Sequence, residues 1–82
     1  MHPKIRTKLL YQGEVFAQRR KSSIGTTIDW IAQQLENYSW VNQVPAVACV
    51  SIMWNDWESE MEIEATNRFG TNLPYDVQTE TF

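Results

Sequence analysis

Along Lys4-Ile5-Arg6-Thr7-Lys8-Leu9-Leu10-Tyr11, the residues Ile5, Thr7, Leu9 and Tyr11 alternate with Lys4, Arg6 and Lys8. A period of two predicts a half-buried strand. Gln12-Gly13 comes next, and glycine supplies the positive φ that a tight hairpin turn needs. A two-residue turn there sets Tyr11 opposite Glu14, Leu9 opposite Phe16, Thr7 opposite Gln18 and Ile5 opposite Arg20. The reverse side of this ribbon then gathers Lys4, Arg6, Lys8, Ala17, Arg19 and Lys21, a basic face.

The period changes in the next segment. In Thr26-Thr27-Ile28-Asp29-Trp30-Ile31-Ala32-Gln33-Gln34-Leu35, continuing to Trp40, the residues Ile28, Ile31, Ala32, Leu35, Tyr38 and Ser39 fall on one side of a 3.6-residue repeat. Thr26 with Asp29 has the spacing of a capping box, and an acid near the start suits the helix dipole. The helix is expected to stop near Trp40, because Val44 precedes Pro45 and a residue before proline avoids helical φ/ψ. Trp30 projects roughly opposite the apolar stripe, where a large aromatic is enriched at binding interfaces.

Residues 46–54 are nearly all apolar and β-favouring, and predict a central strand covered on both faces. A two-residue turn at Asn55-Asp56 pairs Trp54 with Trp57, Ile52 with Ser59, Val50 with Met61, Ala48 with Ile63 and Ala46 with Ala65. The Trp pair would pin the register by about 0.5–1.5 kcal/mol beyond its burial. The other side of that hairpin sets Met53, Ser51, Cys49 and Val47 against Glu58, Glu60, Glu62 and Glu64. Residues 67–82 contain Gly70 and Pro74 and show no clear period, which predicts a partly ordered tail anchored by Leu73, Tyr75, Val77 and Phe82.

These elements predict the α+β class. One domain spans residues 1–82, with an antiparallel four-stranded sheet in ββαββ order and one helix packed on its apolar face. A chain of 82 residues buries only about 60% of the surface its unfolded form exposes, so four Trp supply bulk that length does not.

Charge is segregated along the chain. Six of the seven cations lie in residues 1–21 beside one acid, Glu14, whereas residues 22–82 hold nine acids and Arg68. The net charge is −3 and the isoelectric point about 4.9.

Function classes separate on this distribution. Carboxylates on alternate strand residues stand about 6.8 Å apart, twice the roughly 3.4 Å spacing of phosphates on one DNA strand. Glu58, Glu60, Glu62 and Glu64 therefore make a partner-binding row able to imitate a polyanion, unless Lys4, Arg6 and Lys8 neutralise it across strands. The same spacing is too wide for neighbouring carboxylates to share one metal ion. Lys4, Arg6, Lys8, Arg19, Arg20 and Lys21 are the candidates for contacting nucleic acid, with Phe16 available to stack a base. An acidic chain disfavours that alternative.

Catalytic residues, metal ligands and cofactors are not expected. His2 has no orienting acid, three scattered Gly make no phosphate loop, and no Ser or Thr is assigned a base. Cys49 is the single cysteine and is expected to be inert opposite Glu62. With no disulfide and no apolar run near the N-terminus, an intracellular, cytoplasmic setting is expected, without membrane insertion. The composition points to a small non-enzymatic binding module, an inhibitor or adaptor of the kind viruses and mobile elements encode, whose partner is a protein with a basic surface. Alternatives are a nucleic-acid binder using the basic hairpin, or a structural homo-oligomer with a homodimer as its simplest form.

Overall fold

Gln12 and Gly13, both at positive φ, turn the first hairpin where the alternation places it. The computed structural model describes residues 5–21, 24–58 and 60–81. Strand β1 (Ile5–Tyr11) runs into β2 (Glu14–Lys21), helix α1 (Ile24–Asn42) comes next, and β3 (Cys49–Asn55), β4 (Glu60–Thr66) and β5 (Tyr75–Thr81) complete the chain. This is a small α+β protein with one helix and antiparallel strands.

The strands form two sheets in place of the expected single sheet of four. One has three strands in the order β2-β1-β5, the other is the hairpin β3-β4. The difference comes from residues 67–82, which hold a strand in place of the expected tail. Tyr75, Val77 and Thr79 of β5 pair with Tyr11, Leu9 and Thr7 of β1. Asn67 shapes the preceding turn, its Oδ1 accepting from the backbone N–H groups of Phe69 and Thr71, and Gly70 takes positive φ there. Strand β4 runs beside β5, linked at its end by Leu73 N–H donating to Ala65 O at 2.8 Å.

Strand β3 also departs from expectation. It begins at Cys49 and lies at a sheet edge, and Cys49, Ser51 and Met53 are exposed, so it is not a central strand covered on both faces.

Helix α1 buries Thr27, Ile31, Leu35 and Ser39, spaced four apart, with Ile28, Ala32 and Tyr38 at the flanks. It starts at Ile24, so Thr26 stands inside the first turn and the capping box with Asp29 does not form. It ends at Asn42, where Gln43 adopts positive φ and Asn42 Nδ2 donates to Tyr38 O.

Leu9, Ile31, Leu35, Met61, Ala65 and Tyr75 form one buried cluster joining β1, α1, β4 and β5. Three rings extend it from Tyr75: Tyr11 lies 4.8 Å from Tyr75, and Tyr38 lies 5.0 Å from Tyr11 and 4.3 Å from Phe16. Aromatic area thus supplies part of the core that an 82-residue chain lacks in length.

Candidate functional site

The β3–β4 hairpin keeps the faces that alternation assigns and changes the partners. Asn55 Oδ1 accepts from the backbone N–H groups of Trp57 and Glu58, so the chain reverses through a wider loop before pairing resumes at Asn55 with Glu60. Trp54 therefore opposes Met61, Ile52 opposes Ile63 and Val50 opposes Ala65. The Trp54–Trp57 pair does not form. Trp54 Nε1–H instead donates to Asp56 Oδ1 at 2.6 Å, and Trp57 stands 97% exposed at the tip. Ser59 lies outside the described residues.

Because pairing slips by an even number of positions, side chains stay on their assigned sides. Met61 and Ala65 point into the core. Glu60, Glu62 and Glu64 point away, opposite Asn55, Met53 and Ser51, with Glu58 exposed in the turn. Cys49, exposed, faces Thr66 in place of the expected Glu62.

Strand β5 widens this acidic face. Tyr75 and Val77 belong to the core, so Asp76, Gln78 and Glu80 project to the same outer side as the β4 carboxylates. Asp76 and Glu80 are not among the candidates the sequence singles out, although the alternation of Tyr75, Val77 and Thr79 with polar residues is the signal that marks them.

The position of β5 also decides how charge is balanced. It separates β4 from β1, and Arg6 Nη1 reaches Glu80 Oε2 at 3.6 Å. The expected neutralisation of the β4 row by Arg6 and Lys8 needs β1 and β4 to be neighbours, which they are not. Among the described residues, none of Glu58, Glu60, Glu62 and Glu64 makes an ion pair. Lys4 lies outside the described residues.

The basic residues are divided as well. Leu9 pairs with Ala17 and Leu10 with Val15, leaving Phe16 as the extra residue of a bulge. Beyond it the register moves by one, which turns each later side chain to the other face. Arg19 now pairs with Thr7 on the helix side, donates from Nη2 to Thr26 Oγ1 at 2.9 Å and stands 5.9 Å from the Trp30 ring. Arg6 and Lys8 remain on the outer side, and Arg20, expected opposite Ile5, joins them there opposite Arg6. Lys21 ends β2, and its side chain lies outside the described residues.

Trp30, expected to face a partner, is half-buried at the margin of the helix stripe and packs against the core cluster under Arg19. Among the described residues, Trp40 at 84% exposure and Phe69 at 76% are, with Trp57, the aromatics that face solvent. An open groove of about 920 Å³ separates the second half of α1 from residues 43–47, walled by Glu36, Trp40, Val44 and Val47.

Comparison with protein-family models, with curated proteins and with solved structures finds no match for this chain. No helix among the described residues is long and apolar enough to cross a membrane.

Proposed function

We propose that this protein is a non-enzymatic binding module whose outer β4 face, widened by β5, docks on a basic site of a protein partner and blocks or recruits it. One observation carries the reading: Glu60, Glu62 and Glu64 project from one strand face with no ion pair among the described residues, while Arg6 is engaged by Glu80. Carboxylates left without a counter-cation offer their full field to a cationic partner, and complementary charge steers association and excludes wrong partners. Met53, 64% exposed and opposite Glu62, adds an apolar contact within the row. Trp57, in place of Trp30, supplies an aromatic anchor at the hairpin tip.

The finer form of the proposal is polyanion mimicry. A row of acids about 6.8 Å apart matches every second phosphate of a DNA strand, so the partner would be a nucleic-acid-binding protein whose basic channel the hairpin fills. Direct nucleic-acid binding by the N-terminal hairpin has weaker support, because Arg19 is engaged on the helix side by Thr26 and Trp30, and Arg6 by Glu80.

Affinity capture from nuclease-treated lysate of the source organism tests this, with the wild type beside Glu60→Gln/Glu62→Gln. Retention of a basic protein by the wild type, its loss with the variant and its release by added DNA or RNA are the expected results. Equal retention by both chains would move the interface elsewhere.

A further inference from the structure

Among the described residues each sheet has one edge that no other strand adjoins, β2 in one and β3 in the other, and the two are unlike. Strand β2 carries a bulge at Phe16 and the cations Arg19, Arg20 and Lys21, devices that blunt an edge against further pairing. Strand β3 has none of them: Cys-Val-Ser-Ile-Met-Trp-Asn holds no charge, no proline and no bulge, and it pairs through all seven residues with β4. Among the described residues β4 is its only strand partner.

The face of β3 that turns toward the core is also incompletely covered. Met61 and Ala65 on β4 are buried, whereas Ile63 between them and Val50, Ile52 and Trp54 on β3 are only partly buried against the core. A two-stranded sheet is marginal by itself and gains from a third strand.

We infer that the open edge of β3 pairs with the same edge of a second copy of this chain, antiparallel and about a two-fold axis at Ile52. That register uses all seven residues of the strand, placing Ile52 beside its own copy, Val50 beside the partner copy's Trp54, and Ser51 beside the partner copy's Met53. Each apolar residue on the core side gains an apolar neighbour, and no charged residue of β3 is brought against another. The interface is isologous, the commonest form of soluble oligomer.

Charge distinguishes this arrangement from the other arrangement of two copies. Residues 24–66 hold seven acids and no Lys or Arg, so basic-to-acidic association would set the outer face that carries Arg6, Lys8 and Arg20 against the Glu row and would leave the β3 edge unpaired. In the β3–β3 arrangement the two Glu rows stand three strand spacings apart, about 14 Å, beyond the roughly 8 Å Debye length at physiological salt. Dimerisation is therefore tightened by added salt, whereas a basic-to-acidic contact is loosened by it. The inference does not rest on the docking reading; the dimer would present two acidic faces on one side.

Sedimentation equilibrium of the purified full chain across a concentration and salt series tests the inference. The wild type is expected to double in mass with concentration and to associate more tightly as salt rises. Ser51→Glu/Met53→Glu, at two exposed positions, places Glu against Glu across the axis and is expected to remain at monomer mass with an unchanged far-UV circular dichroism spectrum. If that variant does not fold, Ile52→Cys in a Cys49→Ser background takes its place, and mild oxidation is expected to give a covalent dimer. A wild type that stays monomeric at physiological salt overturns the inference and leaves the edge for a strand of another protein. A dimer that dissociates as salt rises, one that persists in the folded double Glu variant, or failure of the Ile52→Cys chain to cross-link overturns it as well.

Discussion

Arg19 reaches from β2 to the first turn of α1, donating from Nη2 to Thr26 Oγ1 at 2.9 Å with its guanidinium carbon 5.9 Å from the centre of the Trp30 ring. This cation fastens the helix to the sheet. Arg19→Ala removes a hydrogen bond worth about 1 kcal/mol and a cation–π contact worth about 0.5–1 kcal/mol. A loss of about 1–2 kcal/mol in urea unfolding is expected, with Arg19→Lys falling between because it keeps the charge and loses the planar fork.

The same residue shows where the sequence is legible and where it is not. Period-two and period-3.6 patterns depend only on local alternation, so the first turn, the helix stripe and the core face of the β3–β4 hairpin can be read from them. A bulge is one residue out of phase, and nothing in Val15-Phe16-Ala17 distinguishes it from regular strand. Its effect falls entirely on the residues beyond it, so alternation alone puts Arg19 on the wrong face. The turn at Asn55-Asp56 hides its length differently: the Asn55 side chain holds the wider loop in place of backbone. Strand β5 shows its alternation at Tyr75, Val77 and Thr79, but its partner β1 lies at the far end of the chain, and local pattern carries no information about such pairing.

Asn55 and Asn67 perform one task at successive turns. Asn55 Oδ1 receives the N–H groups of Trp57 and Glu58, and Asn67 Oδ1 those of Phe69 and Thr71. Replacing either by Ala leaves two backbone donors to water and is expected to cost about 1 kcal/mol. Asp retains the accepting oxygen and is expected to restore most of the loss at neutral pH. Thermal unfolding of the four single variants measures both effects.

Tyr75 predicts an alkaline limit to stability. Its hydroxyl is buried without a hydrogen-bond partner among the described residues, and burial first, then the neighbouring Tyr11 and Tyr38, push its pKa from 10.0 up to about 12. The folded state thus holds this proton more tightly than the unfolded chain does. The stability linked to it is complete below pH 10 and is lost as pH rises toward about 12. Tyr75→Phe removes the titrating group and breaks no hydrogen bond, so its midpoint at pH 7 is expected to match or exceed the wild type. Its unfolding at high pH is expected to move upward, as monitored by circular dichroism together with tyrosinate absorbance.

The Glu row separates stability from function. Glu60, Glu62 and Glu64 are exposed on alternate positions of β4, and like charges so placed repel weakly. Glu60→Gln/Glu62→Gln/Glu64→Gln is expected to leave unfolding free energy within about 0.5 kcal/mol of wild type, as for other surface changes, with any gain largest at low salt, where screening is least. A loss well beyond that range would mean that the carboxylates serve the fold through contacts with cations such as Lys4, and their exposure would no longer argue for a docking face. Unchanged stability with lost capture of a basic partner assigns the row to binding, because residues whose removal costs the fold nothing then carry the interaction.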